Sequence, residues 1–270
     1  MTINEKEFPL TRASIARELE LLGVKKGMTL LVHSSLKSFN RWIVGAPEAV
    51  VLALEDAVGD EGTLVMPAHS SDLSDPALWS NPPVPEAWWQ TIRDEMPAFS
   101  TDLTVTRGMG LLAESFRRQN GTLRSYHPQV SFAARGPKAA FVTENHSLEY
   151  GLGEDSPLAR LYDCGAYVLL LGTGHENNTS LHLSEYRSDY LSKHDVTLGA
   201  PIEVEGERRW VTFQEINLNS DDFGVLGEAF DDELGNAFVK TRQIGDAVVK
   251  LMPQRELVDY GVQWLAHYRR

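Results

Sequence analysis

Two apolar runs, Thr29-Leu-Leu-Val32 and Thr63-Leu-Val-Met66, are separated by an apolar-rich helical segment, Gly45 to Val58, with Pro47 near its first turn, and by the turn Gly59-Asp-Glu-Gly62. No other feature limits the fold so strongly. Strand, helix and strand within about 35 residues form a βαβ unit, for which parallel pairing and a right-handed crossover are the strong default. The expected architecture is therefore α/β, with a central mostly parallel or mixed sheet flanked by helices.

A third strand is expected at Ala166-Tyr-Val-Leu-Leu-Leu171, and it runs into an unusual segment. Gly172-Thr-Gly-His-Glu-Asn-Asn-Thr-Ser-Leu-His-Leu-Ser-Glu185 holds two histidines, two glutamates, two amides and four hydroxyls in one stretch. A strand that empties into such residues and restarts as a helix is where α/β proteins place ligands and chemistry. If Thr179 to Arg187 is helical, His182 and Glu185 share a face, and the carboxylate orients the imidazole as a general base. Glu176, in the preceding loop, is an equal candidate for that partner. The first strand ends similarly, in His33-Ser34-Ser35 with Ser38 close behind, a second ligand-binding position in such folds.

The remaining chain supplies the frame. Ile15, Leu19 and Leu22 mark an amphipathic helix over Thr11 to Leu22, stopped by Gly23-Val-Lys-Lys-Gly27. Met109 to Arg118 is helical in pattern, and Ser156 caps a short helix with Pro157 at its first position. A hairpin is expected around Glu205-Gly-Glu207, and Arg255 to His267 reads as a terminal helix. His127 precedes Pro128, which favours extended backbone, so Arg124-Ser-Tyr-His-Pro128 is expected to be a shaped loop near the site. The 270 residues read as a single domain carrying a Pro/Trp-rich flap at about 67–102 and a hairpin-rich region at about 195–235.

Composition excludes several functions. Thirty-eight acidic residues against 25 basic ones give a net charge of -13, which opposes binding to a phosphate backbone and favours cationic small molecules. The lone Cys164 leaves no internal disulfide or thiolate cluster and suits a reducing compartment. The first residues lack a signal-peptide layout and no stretch approaches the roughly 18 to 20 apolar residues of a membrane span, so a cytoplasmic location is expected. There is no GxxxxGK[ST], GxGxxG, GxSxG, HExxH or HxH, which disfavours nucleotide, serine-hydrolase and zinc chemistry. No metal is expected.

Several ordered motifs then coincide. Val32-His-Ser-Ser-Leu36, Glu61-Gly-Thr-Leu-Val-Met-Pro67, Thr106-Arg-Gly-Met-Gly110, Arg124-Ser-Tyr-His-Pro128, Ser156-Pro-Leu158 and Asn178-Thr-Ser-Leu-His-Leu-Ser-Glu185 resemble the aminoglycoside N3-acetyltransferase family, over nearly the whole chain. The resemblance implies an α/β fold distinct from the GCN5-related acetyltransferases. It also implies acetyl transfer from acetyl-coenzyme A to the 3-amino group of a 2-deoxystreptamine aminoglycoside. In that frame His182 is the general base with Glu176 and Glu185 as candidate partners, while Ser34, Ser35, Lys37, Phe39, Thr104 and Arg107 lie along coenzyme A. Position and charge add Asp72, Asp75 and Asp102 as attractors of a polycationic sugar, with Trp88 or Trp89 packing on its rings. An oligomer is compatible with the sequence. Other readings keep coenzyme A but change the acceptor to a different small amine, or lack turnover altogether.

Overall fold

The computed structural model describes residues 8–269. Its large sheet has seven strands: β1 (Thr29–Ser34), β2 (Thr63–Pro67), β3 (Leu123–Arg124), β4 (Phe132–Arg135), β5 (Tyr167–Leu171), β8 (Lys240–Ile244) and β9 (Ala247–Pro253), in the order β3-β4-β2-β1-β5-β9-β8. A separate two-stranded hairpin pairs β6 (Asp195–Val204) with β7 (Glu207–Ile216). The helices are α1 (Arg12–Leu22), α2 (Ala46–Val58), α3 (Glu86–Glu95), α4 (Gly110–Arg117), α5 (Ala139–Thr143), α6 (Pro157–Asp163), α7 (Ser180–Arg187), α8 (Phe223–Phe238) and α9 (Gln254–Tyr268).

The βαβ unit forms as expected: β1 lies parallel to β2, with Leu30 opposite Leu64, and parallel to β5 on its other side, with Val32 opposite Leu169. The pairings of β4 with β2 and of β9 with β5 are antiparallel, so the sheet is mixed. Alternate residues of the central strands enter different cores. Leu30, Val32, Leu169 and Leu171 pack with Ile15, Leu19, Leu54 and Phe116 of α1, α2 and α4. On the opposite face Leu31 meets Leu158, Leu161 and Leu183, while Val168 and Leu170 meet Leu226, Phe230 and Leu257. Burial on both faces explains why these strands read as uninterrupted apolar runs, and each fully buried Leu or Val contributes about 1.5–3 kcal/mol of transfer free energy.

Local signals account for most boundaries. Thr11 caps α1 in a reciprocal capping box with Ser14, and the Ser156 hydroxyl accepts from the Leu158 N–H at the start of α6. The hairpin turns at Glu205 and Gly206, both with positive φ (54° and 81°), as a primed two-residue turn requires. Hairpin structure ends at Ile216. The second part of the expected hairpin-rich region is instead the 16-residue α8, whose Phe223, Leu226, Gly227 and Phe230 are buried. Strands β8 and β9 are a further addition to the elements expected from the sequence.

The Pro/Trp-rich flap is ordered but offers little to a cleft. Within it α3 has no buried residue, the Trp79 Nε1–H donates to Ser74 Oγ at 2.9 Å, and Trp88 is 57% exposed. Its join to the sheet is polar: Arg124 donates to the carbonyls of Ala68 (Nη2, 2.7 Å) and Thr104, and to Ser131 Oγ. His127 fixes the adjoining loop, its Nδ1 accepting from the N–H groups of Gln129 (3.1 Å) and Val130 (3.0 Å) while Nε2 donates to the Leu148 carbonyl. Among the described residues no helix is long and apolar enough to cross a membrane.

Candidate functional site

The carboxyl ends of β1, β2 and β5 open into a cavity of about 790 Å³. From β1 and the turn after it come His33, Ser34, Ser35 and Ser38, and from the loop after β5 come Gly172, Thr173, Gly174, Glu176, Asn177 and Thr179. Gly108 and Met109 close one side, and Asp246, Val248 and Lys250 of the β8–β9 edge close another. The two polar stretches singled out in the sequence therefore face one space. At Gly172 the chain turns with φ 72°, a conformation that favours glycine, and a Cβ there would lie 1.9 Å from Ser38 Oγ, so the loop after β5 packs closely on the turn after β1.

The loop between β5 and α7 is pinned from behind. His175 is buried, with Nε2 3.3 Å from Asp231 Oδ1 on α8, and Asp231 also accepts from Lys250 Nζ. Burial pushes the Asp231 carboxyl up, but hydrogen bonds from His175 and Lys250 outweigh it and hold the group below the usual range. The approach is close enough that a Cβ at Gly227 would lie 2.0 Å from His175 Cγ. Asn178 Oδ1 then accepts from the Ser180 N–H at 3.3 Å and starts α7.

One turn into α7, His182 Nδ1 lies 2.5 Å from Glu185 Oε2. Glu185 is fully buried and its charge is compensated: Oε1 accepts from the Asn219 N–H at 2.9 Å and from Arg269 Nη1. Phe223 packs edge-on against the imidazole, ring centroids 4.8 Å apart. A carboxylate on Nδ1 fixes the proton there and leaves Nε2 with a lone pair. His182 itself lies one helical turn beyond Thr179 of the cavity wall, its amide donating to the Thr179 carbonyl at 3.0 Å.

Other sequence candidates fall in different places. Glu176 is exposed and accepts from the Gly174 N–H and Asn177 Nδ2, so the partner of His182 is Glu185. Ser34 and Ser35 line the cavity, whereas Lys37 is exposed to solvent and is not part of its wall. Phe39 is wholly enclosed in the core with Val32 and Leu171, which removes it from any ligand surface. An aromatic residue inside a polar loop reads like a ligand contact, but here its area stabilises more when buried in the core. The Thr104 hydroxyl accepts from the Ser100 N–H at 2.9 Å. Arg107 is exposed, 3.5 Å from Asp72, beside the cavity residues Gly108 and Met109. Asp75 is engaged by Arg93 through two bonds of 2.7 and 3.1 Å and caps a short turn by accepting from the Ala77 N–H. Asp102 borders a different groove, with Arg117, Arg118 and Arg124. Thus Asp75, Asp102 and Trp88 are not brought together with the cavity residues.

Sequence reasoning missed Arg269, Phe223 and Lys250, which lie far from the motif and carry no local signal. No cluster of three or more His, Cys, Asp or Glu side chains with metal-binding geometry occurs among the described residues. The cavity does fit coenzyme A: hydroxyls of Ser34, Ser35 and Ser38 and the Lys250 ammonium on its wall suit a long chain bearing hydroxyl, amide and phosphate groups.

A mixed sheet with a crevice at its parallel strand ends, flanked by a carboxylate-oriented histidine, has the architecture of an α/β enzyme. Residues 31–266 match the family described as aminoglycoside 3-N-acetyltransferase, and the chain belongs to that family. It is 45% identical to the SPbeta prophage-derived aminoglycoside N(3')-acetyltransferase-like protein YokD of Bacillus subtilis, over 97% of this chain and 94% of that one. The crystal structure of YokD superposes with a TM-score of 0.94 at 44% identity, covering 97% and 95% of the two chains. Aminoglycoside N(3)-acetyltransferase VIII of Streptomyces fradiae is 35% identical over 97% of this chain and 96% of its own. The structure described as AAC-IIIb binary with CoASH gives a TM-score of 0.83 at 31% identity, covering 96% and 97%.

Proposed function

We propose that this enzyme transfers the acetyl group of acetyl-coenzyme A directly to the 3-amino group of a 2-deoxystreptamine aminoglycoside, with His182 as the general base. The observation that carries the mechanism is the 2.5 Å contact between Glu185 Oε2 and His182 Nδ1, which leaves Nε2 to accept the proton. Acyl transfer to an amine that is mostly protonated at neutral pH needs such an acceptor. Ser34 and Ser35 hold the pantetheine arm in the cavity, and Arg107, whose 3.5 Å contact with Asp72 is exposed to solvent, supplies positive charge for phosphate. The CoASH complex of AAC-IIIb supports this cosubstrate, and the family description supports the acceptor. The net charge of -13 draws in a polycation, and Asp72, next to the cavity wall, is the acidic flap residue best placed to meet it.

The test mixes the protein with acetyl-coenzyme A and a panel of aminoglycosides, follows thiol release, and locates the acetylated nitrogen by NMR. Release with acetylation at N3, lost by a factor of about 10²–10⁴ in His182→Ala, is the expected result. Release only with other small amines would move the acceptor outside the aminoglycosides, and coenzyme A binding without release from any amine would refute acetyl transfer.

A further inference from the structure

Apart from the pair on α7, which lies one helical turn behind Thr179 of the wall, an imidazole lines the cavity itself without an assigned role. His33 stands on β1 in the middle of the sheet, opposite Leu170 of β5 and directly before Ser34 and Ser35. It is 6% exposed and forms part of the cavity wall. Its Nε2 is buried and has no hydrogen-bond partner among the described residues. A buried polar nitrogen without a partner is costly, and at a ligand cavity the group that offsets the cost is the ligand.

The state of the ring narrows its chemistry. Burial, reinforced by nearby His175 and His182, holds His33 down to about 3, so it is neutral near pH 7. A neutral imidazole carries one N–H and accepts a proton poorly, so His33 does not compete with His182 as base but can donate a hydrogen bond. His69, whose Nε2 is also buried and unpartnered, does not line the cavity and packs edge-on against Phe132.

We propose that His33 is a second catalytic residue, whose Nε2–H donates to the acetyl carbonyl oxygen as the substrate amine adds to the carbonyl carbon. The inference rests on the acetyl-transfer reading above. In that step the lone pair of the neutral amine forms the C–N bond while the carbonyl π pair moves onto oxygen. His182 takes one proton from the nitrogen. When the carbonyl re-forms, the C–S bond breaks, its electron pair leaves on sulfur, and the thiol receives that proton. The donor is preorganised in a water-poor wall and strengthens as charge builds on oxygen, the circumstance in which one hydrogen bond most accelerates acyl transfer.

Wild type, His33→Phe and His33→Gln are compared in melting temperature, in steady-state thiol release, and in the isotope-edited infrared band of bound acetyl-coenzyme A carrying ¹³C at the thioester carbonyl. Because Nε2 has no partner to lose, His33→Phe is expected to melt no lower than wild type. Its kcat falls about 10²-fold with little change in KM for acetyl-coenzyme A, and the carbonyl band moves to higher frequency. His33→Gln, which returns an N–H near the position of Nε2, recovers part of both. An unchanged kcat and band in His33→Phe overturn the proposal, as does a loss of rate in both variants that only follows a loss of melting temperature. Wild type that releases no thiol with any aminoglycoside refutes the acetyl-transfer reading instead. The infrared band then still judges His33: no difference between wild type and His33→Phe refutes its contact with the carbonyl.

Discussion

Glu185 approaches His182 from within the same helix, Oε2 to Nδ1 at 2.5 Å, with the carboxylate shielded from solvent. The two glutamates of the motif therefore differ in consequence. Glu185→Gln leaves a side chain of the same shape that fixes the wrong tautomer, and kcat is expected to fall on the order of 10²–10⁴-fold, as when a carboxylate is replaced by an amide behind a catalytic histidine. Glu176→Gln, in the loop, changes kcat by less than about threefold, because an exposed carboxylate is screened by solvent. Steady-state rates of the two variants decide the assignment, and equal losses would remove the distinction.

Gly172→Ala probes the wall of the cavity. The new methyl would lie 1.9 Å from Ser38 Oγ and 3.0 Å from Ala247 Cβ on a backbone at φ 72°, so the Ser38 side chain must move and the backbone at 172 is strained. The expected outcome is a rise in KM for acetyl-coenzyme A of at least about tenfold, with destabilisation of about 1–3 kcal/mol from the backbone strain. Calorimetric titration with coenzyme A and a urea melt measure the two effects separately.

Asp75→Asn removes a charge that Arg93 already neutralises through two hydrogen bonds. KM for an aminoglycoside should change by less than about twofold, while the melting temperature falls slightly through loss of a partly buried ion pair. Raising salt from low to physiological concentration should increase KM for the same polycation in both proteins, because screening weakens the field of the whole molecule. A large KM effect of Asp75→Asn alone would return this residue to the binding surface.

Acid should unfold this protein early. Burial holds His33 and His69 down to about 3 and His146 to about 4, and it lowers His127 as well. Nδ1 of His127 accepts two backbone N–H groups and His146 Nε2 donates to the Gly151 carbonyl at 2.6 Å, bonds made by neutral rings. Between these folded values and about 6.5 the unfolded chain binds more protons, so stability is lost as pH falls through that window. At pH 5 the loss is about 2 kcal/mol for each such histidine. Urea melts at pH 7.5 and pH 5 should differ by several kcal/mol, and identical midpoints would contradict the buried neutral state.

How much of the molecule is legible in the sequence depends on the range of the interaction. The βαβ unit is legible because Leu30, Leu31, Leu64 and Val65 are buried on both faces, which leaves a continuous apolar run as its trace. His182 and Glu185 are legible as a pair because helix geometry fixes three-residue neighbours. The choice between Glu185 and Glu176 is not, since it depends on Asn219 and Arg269, which arrive from distant chain. Helix α8 escapes because Gly224, Gly227 and Gly235 dilute its pattern, and Gly227 is there to admit His175. Phe39 misleads for the opposite reason: its polar neighbours describe the loop correctly, but its own ring turns inward.

The guanidinium on Glu185 comes from residue 269, 84 positions beyond the glutamate it steadies. During synthesis, a nascent chain that has completed β1, β5 and α7 already has His182 and its carboxylate, yet that carboxylate lacks its arginine counter-charge until α9 has left the ribosome and packed beside it. Lys250 on the cavity wall is equally late. The His182–Glu185 pair thus gains its counter-charge only once residue 269 has been made: an unfinished chain can form half of a sheet and still leave Glu185 uncompensated.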